Sequence, residues 1–415
     1  MHTLSVPNST CWLLQPSCAV PICSCDVHVF HSIADLPAWK WDGLLTDKQY
    51  FLRTNYLRII EQSCPHIEPR YVLFSENNEV VAVAVFQLLQ LEGSDNFRFK
   101  KNISTQKACL QPTIYFQNLA TDWVNNLSLR VLVNGNGFIT GEHAFYYNTL
   151  RLDGKTAFAG LQKAINTILT AEKQGEKKVQ LVLVKDFEQQ HLPFARQLAT
   201  YNFHEVAGQP NMIVSLRPEW QSFDDYMAAM SAKYRTRTKG ILKKGAALER
   251  RTIDKAVLAH ELPAMYAYYR DVCLRADFNL AVCTPEYFAQ CLEQLPEQFH
   301  ILGYYLNGNL VGFISYFLTP HDIEAHFIGY DFDLNHQYPI YNTVLLDLVK
   351  IGIEHRKEQL HLGRTATEIK STVGAVPTQQ NAFVQHLNPI VNRVVARLVN
   401  SLRNDNWVQR HPFKE

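Results

Sequence analysis

At 415 residues the chain is longer than the roughly 250 to 300 residues that one hydrophobic core usually organises, so two lobes are the default expectation. It is 47% hydrophobic and 19% charged, an ordinary globular balance that leaves no basis for extensive disorder. Lys plus Arg number 40 against 39 for Asp plus Glu, so the whole-chain field is near neutral and any charge-based recognition of nucleic acid or membrane has to be local.

Residues 1–26 are expected to form a disordered tail. Pro7, Pro16 and Pro21 interrupt them, and neither a basic start nor a continuous apolar stretch marks a secretion signal. Cys11, Cys18, Cys23 and Cys25 crowd this tail, but no second pair at zinc spacing follows, so no metal site is expected. With Cys64, Cys109, Cys273, Cys283 and Cys291 they make nine, an odd and unpatterned set that reads as reduced thiols and a cytoplasmic location. Cys283 and Cys291 read as packing residues. The longest apolar run, Val80 to Phe86, falls well short of the ~20 residues a membrane-spanning helix needs.

Arg70 to Leu91 alternates around Glu76-Asn77-Asn78-Glu79, which predicts two strands joined by a tight turn. A strand at Ser128 to Asn134, an amphipathic helix at Phe158 to Glu172 and a short apolar strand at Lys178 to Val184 follow. A boundary near Pro218 divides a first lobe, 27–218, from a second, 219–403. Gln221 to Ala247 is predicted helical and carries the dense basic run that continues to Arg250 and Arg251. The run is either a solvated face or a grip for phosphate. Leu258 to Leu274 is a further helix. The hairpin device then returns at His300 to Leu318, where Asn307-Gly308 favours a primed turn because both central residues take positive φ. A strand at Ile323 to Tyr330, a helix at Tyr341 to Arg356 and a strand at Gln359 to Leu362 complete the same order as in the first half. Pro389 to Leu402 has helical spacing, and 404–415 reads as a polar tail. Strand, strand, strand, helix, strand, occurring twice, predicts an internal duplication with one parallel, right-handed crossover in each lobe.

Three segments carry a resemblance. Asn134-Gly135-Asn136-Gly137-Phe138-Ile139-Thr140-Gly141-Glu142-His143 is similar to the Gly-Asn-x-x-x-x-Gly-Glu-His segment of bacterial GNAT-like proteins related to the FemAB group. Tyr234-Arg235-x-Arg237-x-Lys239, running into Lys243-Lys244, resembles the basic helix that opens their second lobe. Gly329-Tyr330-Asp331, a helix, and then His361-Leu362-Gly363-Arg364 with Glu368-Ile369-Lys370 and Gly374 resemble a third run of the same proteins. Together the segments span most of residues 30 to 390.

The resemblance implies an α/β fold of tandem duplicated GNAT-like domains, each a mixed, mostly antiparallel sheet flanked by helices. It implies an N-acyltransferase with no permanently bound cofactor, using acyl-CoA or an acyl carrier protein thioester as co-substrate. The acceptor would be a small-molecule amine, an aminolipid or a cell-envelope precursor, with peripheral membrane contact left open. The Fem branch instead implies aminoacyl transfer from charged tRNA, and a non-catalytic duplicate that binds a metabolite or partner is the third reading. The turn Asn335-His336-Gln337-Tyr338-Pro339 lacks the Gly-rich loop by which CoA-using GNAT enzymes cradle pyrophosphate, which points from acetyl-CoA toward a long-chain thioester.

On the strand ending at Tyr330, alternation puts Glu324, His326, Ile328 and Tyr330 on one face. In this superfamily the strand borders the cleft, so Glu324 or His326 is placed to take a proton from the attacking ammonium and Tyr330 to protonate the leaving group. The plain alternative is a solvated face of a half-buried sheet. Glu142 and His143 are a second acid/base pair, although neighbours on an extended segment point apart, with Asn136 as a donor to a carbonyl oxygen. Donor or substrate binding is assigned to Arg235, Arg237 and Lys239 of the basic helix, to Asp331, and to Arg364, Glu368 and Lys370 after the last strand. A Glu368–Lys370 surface pair with no role is the alternative there. Gly363 and Gly374 suggest a specifically shaped loop around these residues.

Overall fold

The computed structural model describes residues 25–96, 128–175, 178–401 and 407–414. Most of the expected N-terminal tail, with Cys11, Cys18 and Cys23, lies outside the described residues, as do Cys109 and positions 402–406 and 415. The last two residues of the expected tail are structured: Cys25 is buried and Asp26 already opens a strand, β1 (Asp26–Phe30).

Each half starts from a hairpin. β2 (Glu68–Glu76) and β3 (Glu79–Glu92) are joined through Asn77 and Asn78, both at positive φ. β10 (Phe299–Leu306) and β11 (Asn309–Leu318) are joined through Asn307 and Gly308, also at positive φ. These are the primed turns whose twist suits flanking strands, and in both hairpins the register shifts just before the turn. A third antiparallel strand follows, β4 (Ser128–Asn134) in the first half and β12 (Asp322–Tyr330) in the second. A helix then crosses over, α3 (Gly154–Glu172) or α8 (Ile340–Glu354), to a parallel strand, β6 (Leu181–Phe187) or β13 (Gln359–His361). The duplication and the single parallel step per lobe are as the sequence pattern predicts.

Sheet membership, however, does not divide at position 218. The first sheet runs β1-β2-β3-β4-β6-β15-β7, with β5 (Phe145–Tyr147) beside β3, and the second runs β9-β10-β11-β12-β13-β8-β14 read from its other edge. Here β7 is His204–Ala207, β8 is Asn211–Ser215, β9 is Glu249–Thr252, β14 is Val376–Thr378 and β15 is Asn381–His386. Thus β8, from the first half of the chain, sits between β13 and β14, while β15, from the second half, sits between β6 and β7. Each copy lends one strand to the other. Short strands such as β8 and β14 carry no local signal of which sheet will take them, because periodicity reports only that a strand exists.

Three layers of apolar packing follow. α3 covers the outer face of the first sheet and α8 that of the second, each through an apolar stripe that includes Phe158, Leu161 and Ile165 in one and Val344, Leu348 and Val349 in the other. The third layer is common to both lobes. It joins α2 (Thr54–Ser63) and the inner face of the first sheet to α6 (Lys255–Arg275), α7 (Pro285–Gln294) and Phe317 of β11. Phe317 has Phe51 at 5.2 Å and Tyr56 at 5.7 Å, ring centre to ring centre, across the lobe boundary. With ~1.5 to 3 kcal/mol for each large side chain fully buried there, the two lobes form one body. Cys283 and Cys291 are buried in this shared layer, as packing residues.

The basic segment forms α5 (Ala232–Gly245), which follows α4 (Phe223–Ala229) and lies on α8 where Gly245 meets Thr343. Residues 407–414 are not a loose polar tail: Phe413 packs tilted against Trp220 at 5.3 Å and edge-on against Tyr226 at 5.7 Å, and Ser231 N–H donates to the Pro412 carbonyl. Two aromatic side chains, Trp407 and Phe413, give this otherwise polar stretch enough apolar surface to dock. Among the described residues no helix is long and apolar enough to cross a membrane.

Candidate functional site

β12 and β13 pair only from Asp322↔Gln359 to Glu324↔His361. Beyond that point β12 runs on to Tyr330 without β13 beside it, and a cavity of about 640 Å³ occupies the gap. Its walls are β12, the start of α8 at Tyr341 and Val344, α6 at Tyr269 and Val272, the loop after β13, and the first lobe's Asn136–Thr140 loop and β6 end. Both halves of the chain build it, on the carboxyl side of a parallel strand pair, where α/β folds collect ligand groups.

The expected alternation along β12 breaks midway. Ile314 opposes Ile328 and Tyr316 opposes Ala325, so Ser315 faces two residues, His326 and Phe327. This is a β-bulge, and Ser315 holds it: its hydroxyl accepts from Phe327 N–H at 3.0 Å and donates to the Phe327 carbonyl at 3.2 Å. In consequence His326 and Phe327 stack side by side, ring centres 3.8 Å apart, on the same face as Glu324. Ile328 and Tyr330 move to the opposite face, with Tyr330 against Phe332 and Tyr341. The face predicted as Glu324, His326, Ile328 and Tyr330 is therefore split, yet all four still border the cavity.

Glu324 is 4% exposed, and burial pushes its carboxyl well above the usual carboxylate range, with Asp322 adding to the rise and Lys370 opposing it. His361, from β13, lies between them, Nδ1 3.7 Å from Glu324 and Nε2 3.8 Å from Asp322. Burial holds His326 neutral, its pKa down to about 3. Its Nε2 is 2.9 Å from the Tyr287 hydroxyl, which is 3.2 Å from that of Tyr56, so a chain of polar groups runs from α2 of the first lobe through α7 to the cavity. The Nδ1 of His326 is buried without a partner.

At the other end stand Lys185 and Asp186 of β6 and Arg364, Lys370 and Gln380. Asp186 is buried at φ 72° and accepts from Arg364 and, at 3.4 Å, from Gly141 N–H, while Lys185 Nζ lies 2.5 Å away. A left-handed conformation at a non-glycine residue costs roughly 1 to 2 kcal/mol, and the contacts to Arg364, Lys185 and Gly141 N–H hold Asp186 in it. The loop presenting Arg364 is strained as well: Gly363, Thr365 and Ala366 all have positive φ, and for β-branched Thr365 that is a true outlier. Lys370, 5% exposed, donates to the carbonyls of Gly363 and Arg364, and burial brings its pKa down to about 7.

The structure thus brings Asn136, Glu324, His326, Tyr330, Arg364 and Lys370 to one cavity. Asn136 serves its own loop, its side-chain oxygen accepting from Phe138 and Ile139 N–H at 2.9 and 3.2 Å and its carbonyl from Lys185. The other expected residues lie elsewhere. Glu142 accepts from Glu188 N–H at 2.7 Å and pairs with His191 at 2.6 Å beside a separate recess of about 150 Å³. His143 points the other way, half-buried and edge-on against Phe51, and desolvation drives its pKa down to about 3, so it is neutral. Asp331 caps the next turn, accepting from Asp333 and Leu334 N–H. Glu368 pairs with Arg410 rather than with Lys370. Arg237 and Lys239 are exposed on α5, and Arg235 donates to the Met230 carbonyl.

Sequence reasoning missed Lys185, Asp186, Tyr287, His361 and Gln380. A charged pair directly after the apolar run Leu181–Val184 was the available signal, since it marks the carboxyl end of the parallel strand just as Arg364 does in the other copy.

No protein-family model and no curated protein sequence matches the chain. Among solved structures it is similar to FemX, at 12% identity and TM-score 0.51, over 85% of this chain and 98% of that one. It is also similar to a tandem GNAT protein from the clavulanic acid biosynthesis pathway, at 10% identity and TM-score 0.48, over 88% of this chain and 99% of that one. L-PGS from Bacillus licheniformis matches at 11% identity and TM-score 0.44, over 84% and 96% of the two chains. With two copies of one strand-helix-strand order, a parallel crossover in each and a match to FemX along nearly its whole length, the chain has a tandem GNAT/FemAB-like α/β fold.

Proposed function

We propose that the chain is an N-acyltransferase that moves an acyl group from a thioester to an amine by direct attack in the cavity between the lobes. The observation that carries this reading is Glu324, a buried carboxyl on the cavity wall held well above its ordinary pKa. An amine of pKa ~10 is almost wholly protonated at neutral pH, and a carboxyl whose pKa is raised is a stronger base and is suited to take its proton. In the step, the amine nitrogen bonds to the thioester carbonyl carbon, its proton passes to Glu324, and the carbon–sulfur bond breaks. Neutral His326, with Nε2 accepting from Tyr287 O–H, turns an N–H at Nδ1 to the carbonyl oxygen as charge develops on it. Tyr330 gives a proton to the departing thiolate and takes back the second proton that the nitrogen loses on becoming an amide, so that thiol and amide leave neutral and Glu324 holds the first proton.

The start of α8 favours a carrier-protein or long-chain thioester over acetyl-CoA. Ile340 N–H donates to the Tyr338 carbonyl and Tyr341 N–H to the Asn335 side chain at 3.0 Å. Two donors that would face a pyrophosphate are thereby already engaged. Thiol release from a series of acyl thioesters, with a pool of amines as acceptors, tests the reading. Glu324→Gln is expected to lose ~10²- to 10⁴-fold in kcat/KM, and full activity in that variant overturns it.

A further inference from the structure

We infer that the polar end of the cavity is a carboxylate subsite built by Arg364, Gln380 and Lys370, and that the acceptor is an amino acid whose own carboxylate is gripped there. The inference rests on the acyl-transfer reading for the amine and adds the anion beside it.

The subsite sits where the two exchanged arms cross. The link from β7 to β8 passes the link from β14 to β15, and Gly208 N–H donates to the Gln380 carbonyl at 2.9 Å. The crossing is tight, because a Cβ on Gly208 would lie 3.0 Å from the Gln380 carbonyl oxygen and the two arms would have to part by a few tenths of an ångström. The Gln380 side chain is 1% exposed and its oxygen accepts from Arg364 Nη2 at 3.4 Å. A guanidinium only donates, so the amide oxygen must be the atom that faces it, and the amide nitrogen is turned away. That nitrogen is buried with no partner, and so is Arg364 Nε. Lys370 spends two of its three N–H groups on the carbonyls of Gly363 and Arg364 and keeps one. Buried donors are nearly always paired in folded proteins. Unmet ones on the wall of one cavity, carried by a cation, an amide and a second cation, describe the complement of an anion.

Charge and spacing narrow its chemistry. Asp186 matches the charge of Arg364, and burial and Arg364 hold the Lys185 pKa well below its usual value, which leaves Lys370 with the Glu324 carboxyl across the cavity wall. One further negative charge suits such a site, and a phosphate, carrying nearly two, would crowd Glu324. Glu324 lies 3.7 Å from His361, and Lys370 donates at 3.2 Å to the Gly363 carbonyl two residues further on, with both side chains on the wall of the one cavity, so the anion and the attacking amine are a few bonds apart. A free amino acid has that spacing.

Thermal-shift and calorimetric titrations of the full chain with glycine, alanine, leucine, phenylalanine and lysine, each beside its amide, test the subsite. At least one free amino acid is expected to bind tenfold or more tightly than its amide, about the effect of a hydrogen bond to a charged group. Gln380→Leu is expected to bring acid and amide binding to within about twofold of each other, and Arg364→Lys, which keeps a cation against Asp186, to weaken the preference. Equal binding of acids and amides, no acid binding at all, inorganic phosphate competing more strongly than the acids, or an unaltered preference in Gln380→Leu each overturn the inference. Transfer to amines that lack a carboxylate, still abolished by Glu324→Gln, discards the subsite and leaves the transferase standing. An active Glu324→Gln discards the transferase whatever the binding preference.

Discussion

Glu324 makes function and stability pull in opposite directions. Its pKa in the folded chain is raised, so between the usual glutamate value and that raised value the folded state binds more protons than the unfolded one. The stability this contributes is complete below the unfolded pKa and is lost as pH rises through the folded pKa. A base, by contrast, acts only once ionised, so the rate climbs over the range in which the fold weakens. Glu324→Gln, with a neutral side chain of the same shape, is expected to be more stable than the parent at pH 8 and equal to it near pH 4. Chemical denaturation at the two values checks this, and a pH-independent difference removes Glu324 from the role of titrating base. Arg364 and Lys370 were expected at a cleft from their place after a strand end, Glu324 and His326 from alternation along β12 and the resemblance, and all four line the one cavity. Tyr287 and Gln380 were not legible in the sequence, since their place depends on how α7 packs and on which sheet receives β15.

At the scale of elements, period-two reading located β12 and then failed inside it. The bulge opposite Ser315 adds one residue to the strand, and every side chain after His326 changes face. Nothing in Ile323–Tyr330 announces this, because the cause lies on β11: a buried Ser315 hydroxyl satisfies both backbone groups of Phe327 that the ladder leaves unpaired. Ser315→Ala takes away that partner and is expected to cost ~1 to 3 kcal/mol, the range for a buried donor left unmet. The loss of kcat/KM is expected to exceed what a smaller folded fraction explains, because His326 depends on the bulge to stand beside Phe327 and meet Tyr287. Urea unfolding together with steady-state rates separates the two effects. Unchanged kinetics in a destabilised variant would assign the bulge to folding alone. The hairpins behave differently: Asn77-Asn78 and Asn307-Gly308 state their own conformation, so both were readable from local sequence.

At the scale of the molecule, duplication was visible in the sequence and the exchange of strands was not. Lobes cut at 27–218 and 219–403 look like natural domains by length and pattern, yet each fragment carries a strand whose sheet is in the other. Without β15, β6 loses its antiparallel neighbour and β7 loses its only pairing, leaving unpaired edges of the kind that aggregate. Without β8, β13 and β14 are separated in the same way. The shared aromatic layer would also open, exposing Phe51, Tyr56, Tyr287 and Phe317 at once. Expressed alone, neither fragment is expected to fold; expressed together, they are expected to assemble into one complex, because every pairing partner is then present. For the intact chain the same reasoning requires one cooperative unfolding transition, coincident by far-UV and near-UV circular dichroism, with no stable half-folded state. Two well-separated transitions, or a soluble first-lobe fragment with native near-UV signal, would mean that the exchanged strands decorate two self-sufficient cores. The cavity at their crossing would then owe its shape to docking of finished lobes, and mutations at Gly208 or Gln380 would move the lobes apart without unfolding either.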